Sequence, residues 1–324
     1  MKTKKIGLVG IYFPGAYDAL HENVPEGFEL VDALSPEAYG NLADCEYLIS
    51  RLDIDPDIIN HTPNVKFWQR WGAGFDHVDL KAWGERGIPI ATCPGVNSGI
   101  VAEVAIMLML AGYRTLLQIN RQLRAGHWPR TEYFGRSFMI KGKTVGVLGL
   151  GHIGKKVAAL ASAFGANVIY YDIVRQPEQE EQFGYRFVDF DTLLKESDIF
   201  TIHCPLNEET RGMIGTAQFA KMKPTAMLIN TARGPIVDEA ALVDALTTGK
   251  IATAGLDTYE HEPLPKDHPL LTLDNVVASA HAGGNTKDND INMVNYVYHN
   301  IVAFDRGEPL NTPGDIVNGE YLKK

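Results

Sequence analysis

A chain of 324 residues with 45% hydrophobic content has the length for about two domains of roughly 150 residues each, and enough apolar side chains to bury real cores. Its formal net charge of −10 argues against nucleic-acid or anionic-membrane partners, whose phosphates call for Lys and Arg, while leaving room for a small anion gripped by one local Arg. Three cysteines, Cys45, Cys93 and Cys204, lie too far apart for a zinc site or a disulfide framework and read as reduced thiols of a cytoplasmic protein without a bound metal.

The opening MKTKKIGLVGIYFPG is basic, but its apolar run is too brief for a signal peptide and reads as a first strand. From Ile6 to about Pro94 the runs IGLVGI, FELVDA, YLISRL, KFWQRWG and PIATC alternate with helix-like segments such as PEAYGNLAD and PDIINHT. Such βα alternation predicts a parallel sheet with helices on its faces. Asn97 to Leu117 predicts one long helix with Ser98 as N-cap and Val101, Val104, Ala105, Leu108 and Ala111 at helical spacing. Its most apolar stretch, Ile100 to Leu110, contains Glu103 and is too short to span a bilayer.

After a polar stretch with Gly126 and Pro129, a more regular βα series follows: TVGVLG, NVIYYD, FVDF, IFTIHC, AMLINT, TAGLD and NVVASA. A last helix, Ile291 to Phe304, precedes a Gly/Pro-rich tail. The pattern predicts an α/β protein of two domains, a discontinuous one over residues 1–98 and 290–324 and a second over residues 99–289.

Gly149-Leu150-Gly151-His152-Ile153-Gly154 is a G-x-G-x-x-G turn. Alone it would be weak, but it directly follows the strand Thr144 to Leu148 and opens a helix with an apolar face of Val157, Leu160, Ala161 and Phe164. The three glycines then permit, in turn, a tight bend, close approach to a pyrophosphate, and helix–strand packing. The helix N-terminus offers unpaired N–H groups and a positive dipole end. Asp172 ends the next strand, where an acid suits ribose hydroxyls and repels a 2′-phosphate, so NAD is predicted over NADP; Arg175 stands close enough to temper that preference. The same stretch fits G-x-x-x-x-G-K, but Lys156 stands where a phosphate-binding loop needs Ser or Thr. Gly72-Ala73-Gly74 has His77, and no glycine, at the third position.

Ligands of open α/β sheets bind beyond the carboxyl ends of the strands. In the second series those exits carry His203-Cys204-Pro205, Thr231-Ala232-Arg233-Gly234, Asp257, and His281-Ala282-Gly283-Gly284. Arg233, Asp257 and His281 would then face the same crevice as the glycine turn. Arg233 can grip a carboxylate with its planar fork and polarise a neighbouring carbonyl. His281 can give a proton to the carbonyl oxygen or take it back. A carboxylate beside it would raise its pKa, and Glu262 is the best candidate. Singly, a strand-end Arg is most often a surface ion pair and a lone His a structural residue; the joint placement points to hydride transfer on a keto acid. His127, His261 and His268 fall in polar loops and read as solvated, and His203 reads as lining the cofactor.

With these residues in hand, the chain resembles the D-isomer-specific 2-hydroxyacid dehydrogenase family. The resemblance runs through Gly72-Ala73-Gly74-Phe75-Asp76, Pro94-Gly95-Val96-Asn97, Ala102-Glu103, Gly142-Lys143-Thr144-Val145-Gly146, the glycine turn, Asn230-Thr231-Ala232-Arg233-Gly234, Gly255-Leu256-Asp257, Glu262-Pro263 and His281-Ala282-Gly283-Gly284. It implies two Rossmann-like, doubly wound domains, a flavodoxin-like substrate domain and an NAD-binding Rossmann domain, with Arg233, Glu262 and His281 as catalytic set. It implies a cofactor held by the glycine turn with His152 and Ile153, by Asp172, by His203, Cys204 and Pro205, and by Thr231, Ala232, Arg233, Asp257, His281, Gly283 and Gly284. Gly72, Ala73 and Gly74 would offer backbone amides to the substrate carboxylate, beside Arg233 and His281. In similar enzymes the cofactor domain forms a homodimer.

Two residues depart from the family pattern or extend it. Ala282 replaces a larger residue often found after the histidine. Arg51 lies where phosphoglycerate dehydrogenases carry a substrate-facing Arg. The expected substrate is therefore a small 2-keto or D-2-hydroxy acid of the glyoxylate, hydroxypyruvate or 3-phosphoglycerate type, without the feedback control of longer relatives. Two alternatives share the fold. A dinucleotide-binding corepressor would also keep the Arg/Glu/His set, but this chain lacks long disordered flanks. A formate dehydrogenase would carry Gln where Glu262 stands.

Overall fold

The computed structural model describes residues 3–51, 54–76 and 78–322. The chain divides into two compact units, Met1–Asn97 with Asn285–Lys324, and Ser98–Gly284. The second boundary falls ahead of the predicted 289/290, because the whole of the last helix belongs to the first unit.

The first unit opens with β1 (Lys4–Val9), α1 (Pro14–Glu22), β2 (Phe28–Ala33), β3 (Tyr47–Ser50), β4 (Phe67–Arg70), α2 (Leu80–Glu85) and β5 (Ile90–Ala91). Its strands form a parallel sheet in the order β2-β1-β3-β4-β5, so the connections change direction between β1 and β3. YLIS and FWQR are buried at every position, as strands covered on both faces are, and their buried Ser50, Gln69 and Arg70 are hydrogen-bonded. Pro36–Asp44 and Pro56–His61, helical by pattern, are 3-10 segments; the first contains Gly40, which disfavours a regular α-helix.

The second unit starts with α3 (Ser98–Tyr113) and α4 (Leu116–Arg124) in place of the single predicted helix. Thr115 breaks it, with φ of +47°, a region that a β-branched residue adopts only when the surroundings impose it. The end of α3 is anchored where the Tyr113 hydroxyl donates to the carbonyl of Asp198. Ser98 is the first helical residue, one place inside the predicted cap. Among the described residues no single helix is long and apolar enough to cross a membrane.

There follow β6 (Thr144–Leu148), α5 (His152–Ala163), β7 (Asn167–Tyr171), α6 (Pro177–Phe183), β8 (Arg186–Phe187), α7 (Phe190–Glu196), β9 (Ile199–Ile202), α8 (Thr216–Phe219), β10 (Met227–Asn230), α9 (Glu239–Thr247), β11 (Thr253–Leu256) and β12 (Val276–Ala278). The predicted strand FVDF is split: Phe187 ends β8, and Asp189 caps α7 by accepting from the N–H of Thr192. The sheet is parallel throughout, in the order β12-β11-β10-β9-β6-β7-β8. It is a doubly wound α/β sheet whose topological switch lies between β6 and β9. Alternate residues feed opposite faces: Leu148, Phe200 and Leu228 into one core, Val147, Ile199 and Ile229 into another shared with α3 and α5.

The last helix, α10 (Lys287–Arg306), returns to the first unit. Its Val294, Val297, Tyr298 and Ile301 bury against Ile6, Leu8, Tyr47, Ile49 and Phe67. The tail then pairs with β5 through an antiparallel bridge between Ala91 and Ile316. A polar cluster in which Asn300, Gln69 and Asp315 are fully buried fixes this return. The Asn300 amide donates to Gln69 Oε1 and to Asp315 Oδ2, each at 2.9 Å, and its oxygen accepts the N–H of Asn311 at 2.9 Å. Asn300→Ala is expected to cost about 2–4 kcal/mol, since each buried polar group left unpaired costs about 1–3 kcal/mol. A lower midpoint in urea unfolding would register it, and an unchanged midpoint would show the cluster to be idle.

Candidate active site

The glycine turn sits where the second sheet switches direction. Gly149 has φ of +88°, and a Cβ there would meet the backbone of Cys204 and His203 within 3 Å. A Cβ on Gly154 would lie 2.1 Å from the carbonyl oxygen of Gly149. Gly151, in contrast, faces open space. The outer glycines thus serve turn and packing, and the middle one leaves a surface that a phosphate can approach. Gly151 is also the N-cap of α5 and gives it no side-chain cap, so the first N–H groups of a twelve-residue helix remain available to an anion. His152 at its start is exposed and Ile153 half-buried.

Asp172 stands just past β7. Its Oδ2 accepts from the N–H of Leu150 at 2.7 Å and its Oδ1 from that of Val174 at 3.1 Å, so the acid is tied to the glycine turn. Arg175, predicted to temper the preference for NAD, is held elsewhere: its Nε and Nη2 grip Glu180 at 2.8 and 2.7 Å. That guanidinium, with the Tyr170 hydroxyl, holds the Glu180 carboxyl down to about 2. A 2′-phosphate would meet the Asp172 carboxylate with the nearest arginine already paired.

Beyond β9, His203 is tied through Nε2 to Thr201 Oγ1 at 2.8 Å, while Nδ1 is buried without a partner among the described residues. Burial holds its pKa down to about 3, so it is neutral at working pH and is no acid for the reaction. Burial pushes the half-buried Cys204 thiol up to about 11, which makes it a poor nucleophile; Pro205 is exposed. The buried hydroxyl of Thr231, beyond β10, is another polar atom without a partner among the described residues. Orphaned polar atoms at these strand exits, together with the bare helix end and the open face of Gly151, fit a bound dinucleotide.

Asn230, fully buried at the end of β10, shapes the next turn: its amide donates to the carbonyl of Arg233 at 2.9 Å and its oxygen accepts the N–H of Ala232 at 3.0 Å. Gly234 follows, where a Cβ would lie 1.8 Å from the backbone carbon of Tyr259. Only glycine lets the Arg233 turn pack against the chain that leads to Glu262. Neither Asn230 nor Gly234 received a role from the sequence, although both stand in the Asn-Thr-Ala-Arg-Gly string. The half-buried Arg233 directs Nη1 to the carbonyl of Ala232 at 2.8 Å.

Glu262 Oε2 lies 2.6 Å from His281 Nδ1, and Glu262 Oε1 accepts from the N–H of Tyr259 at 2.9 Å. This hydrogen bond raises the His281 pKa against the opposing effects of burial and of the Arg233 charge. Burial would raise Glu262, but bonds from His281 and Tyr259 and the nearby positive charges leave it lowered. With Nδ1 engaged by the carboxylate, Nε2 is the nitrogen left for a substrate.

Asp257, buried at the exit of β11, clamps the loop that carries the histidine. Its Oδ1 accepts from the Ser279 hydroxyl and the N–H of Ala282, its Oδ2 from the N–H of Gly283 at 2.9 Å, and its carbonyl from the N–H of His281 at 2.8 Å. A Cβ on Gly283 would approach Asp257 Oδ2 to 2.6 Å; Gly284, next to it, is half-buried. His281 itself has φ of +49°. Of the other histidines, His127 and His261 are exposed, whereas His268 is not solvated as predicted: its Nε2 pairs with Glu239 at 3.0 Å and its Nδ1 accepts from the N–H of Leu270.

In the first unit, Gly72-Ala73-Gly74 leaves β4. Gly72 has φ of +127°, and its carbonyl is fixed by the N–H of Cys93 at 2.8 Å. Arg51, at the exit of β3, is 7% exposed and donates to the carbonyl of Ile11 and to Asn285.

The family described as "D-isomer specific 2-hydroxyacid dehydrogenase, NAD binding domain" matches residues 106–283. The chain is 43% identical over 261 residues to a D-3-phosphoglycerate dehydrogenase of Archaeoglobus fulgidus, a match covering 81% of this chain but spanning about half (49%) of that relative. It is 39% identical over 284 residues to a glyoxylate reductase of Korarchaeum cryptofilum, covering 86% of this chain and 85% of the relative. The crystal structure of a glyoxylate reductase from Paecilomyes thermophila superposes with a TM-score of 0.83 at 33% identity, over 97% of this chain and 99% of that one.

The cofactor end yields a direct test. Glu180→Gln should loosen Arg175 and raise NADPH use relative to NADH, and Asp172→Ala should shift the same ratio by about tenfold or more, the scale of one lost charged contact. Ratios of kcat/KM for the two cofactors that stay constant in both variants would remove Asp172 from cofactor selection.

Proposed function

We propose hydride transfer between nicotinamide and C2 of a small 2-keto or D-2-hydroxy acid, for a chain that belongs to the D-isomer specific 2-hydroxyacid dehydrogenase family and carries its NAD binding domain. The observation that carries the proposal is the contact of 2.6 Å between Glu262 and His281, with the Arg233 charge close enough to act on both. The cofactor, when bound, supplies or accepts the hydride; everything else falls to side chains of the protein.

Arg233 would bind the substrate carboxylate and draw electron density from the adjacent carbonyl. Its turn is fixed by Asn230, so little ordering is left to occur on binding. His281, protonated at Nε2, would donate to the carbonyl oxygen as the alcohol forms, and in the other direction would accept that proton. Glu262 would orient the ring and stabilise the imidazolium without itself taking the proton. Asp257 would hold the His281–Gly283 main chain in register. His203, Cys204, Pro205 and Thr231 would line the cofactor, and the backbone amides of Gly72, Ala73 and Gly74 would receive the carboxylate. The relatives named above support this reading over a corepressor-like or formate dehydrogenase-like one.

We further propose a cytoplasmic homodimer, formed through the second unit. Its support is the apolar face of α3 and α4, where Met107 is 52% and Leu116 54% exposed along a groove shared with Ile106, Leu110 and Ile119. Such faces are seldom left to water. The cysteines are unpaired thiols, as a reducing compartment requires. Met107→Asp should shift the sedimenting species from dimer to monomer; a wild-type chain that sediments as a monomer at micromolar concentration would end the proposal.

His281→Ala should lower kcat for keto-acid reduction by about 10² or more, the general-acid contribution, with NADH still bound. The pH dependence has a definite sign. Reduction needs the imidazolium, so its rate should fall as pH rises through a His281 pKa lifted above 6.5, while oxidation of the hydroxy acid should rise through the same value. Glu262→Gln removes the main cause of the lift, and both inflections should move to lower pH. Profiles of kcat/KM that coincide for wild type and Glu262→Gln would separate Glu262 from proton transfer.

A further inference from the structure

The exits of β1, β3 and β4 lie side by side at the carboxyl end of the first sheet, and large apolar side chains are displayed there beside Asp55 and Asp76. Ile11 is 69%, Phe13 43% and Phe75 39% exposed. One exposed apolar side chain needs no explanation. Here three occupy the loops that leave β1 and β4, on the strand ends where open α/β sheets take their ligands. Trp71, which precedes Gly72, meets Tyr12 edge-on with ring centroids 5.8 Å apart. That contact ties the loop after β1 to the loop holding Gly72, Ala73 and Gly74.

Among the described residues, the arginines at this edge are already committed. Arg51 donates through Nη1 to the carbonyl of Ile11 at 2.8 Å and through Nη2 to Asn285 Oδ1 at 3.3 Å. Its guanidinium carbon lies 4.1 Å from the centroid of the Phe13 ring, close enough for a cation–π contact, and Asp290 offsets part of its charge. A Cβ on Gly10 would come within 2.2 Å of the carbonyl oxygen of Arg51, so the loop is seated directly on the main chain of that residue. Arg51 is thus a strut that fixes Ile11 and Phe13 in place. Arg70, the other arginine at this edge, is 8% exposed and donates to Ser50 Oγ and the carbonyl of Gly74.

We propose that this chain selects 2-keto acids with a bulky apolar side chain, aromatic or branched aliphatic, seated against Ile11, Phe13 and Phe75, in preference to glyoxylate or a phosphorylated acid. The inference rests on the 2-keto acid reading and on Gly72, Ala73 and Gly74 receiving the carboxylate. The substituent on C3 must then lie within a few bond lengths of those amides, and the neighbouring loops present apolar surface to it. A single methylene in an apolar pocket changes kcat/KM by roughly 10–200-fold, so the preference should be large.

The full chain, purified, would be assayed by loss of NADH with glyoxylate, pyruvate, 4-methyl-2-oxopentanoate, phenylpyruvate and 3-phosphohydroxypyruvate. The expected result is a kcat/KM for 4-methyl-2-oxopentanoate or phenylpyruvate at least about tenfold above that for glyoxylate and 3-phosphohydroxypyruvate. Phe13→Ala and Ile11→Ser should each lower that ratio by about fivefold or more. A preference for glyoxylate or 3-phosphohydroxypyruvate would overturn the inference and leave the dehydrogenase standing, as would a ratio intact in both variants. Failure to reduce any of the five acids would remove the dehydrogenase reading itself, and this inference with it.

Discussion

A glutamate oxygen 2.6 Å from an imidazole nitrogen sets the terms for everything around it in the second unit. The two residues come from different loops, one beyond β11 and one beyond β12, and each loop is held by atoms with no direct part in the contact. Glu262 is aimed by the N–H of Tyr259, and Tyr259 in turn packs against Gly234, where no side chain would fit. His281 hangs from Asp257, whose carboxylate and carbonyl together accept from the Ser279 hydroxyl and three successive N–H groups. The positive φ of His281 is the strain this clamp sustains, of order 1–3 kcal/mol for such a conformation. An imidazole with Nδ1 occupied by a carboxylate is the product of these constraints acting together.

The parallel sheet explains why they can act together. All seven strands of the second unit run the same way, so every strand exit lies at one end. Arg233, Asp257 and His281, separated by dozens of residues in the chain, follow neighbouring strands β10, β11 and β12. The glycine turn follows β6, at the point where the winding reverses. Burial on both faces of the strands makes their register hard to shift, because a slip of one residue would exchange the two cores.

Much of this was legible from residue order alone. Strand runs such as AMLINT contain the observed element, β10, which is buried at every position, because fully buried parallel strands announce themselves as apolar runs between turn residues. The pairing of Glu262 with His281 was legible because the roles proposed for them call for a carboxylate near an imidazole. Other features lay beyond any local signal. The break at Thr115 opposes the intrinsic preference of threonine, so only tertiary anchoring through Tyr113 could reveal it. The pairing of His268 with Glu239 joins residues far apart in sequence. The engagement of Arg175 by Glu180 was within reach, since the two are close in sequence along one short helix entry. The work of Gly234 and Gly10 depended on knowing which backbone would pass against them.

The return of α10 to the first sheet has a consequence for how the chain is made. One face of that sheet, with Ile6, Leu8, Tyr47, Ile49 and Phe67, acquires its cover of Val294, Val297 and Ile301 only when the C-terminal portion has been synthesised. The second unit, contiguous from Ser98 to Gly284, has all of its strands before that moment. Vectorial synthesis therefore lets the later domain mature before the earlier one, with the N-terminal sheet waiting half-covered on the ribosome. A nascent chain of this architecture leaves one apolar face of its first sheet uncovered until α10 has emerged.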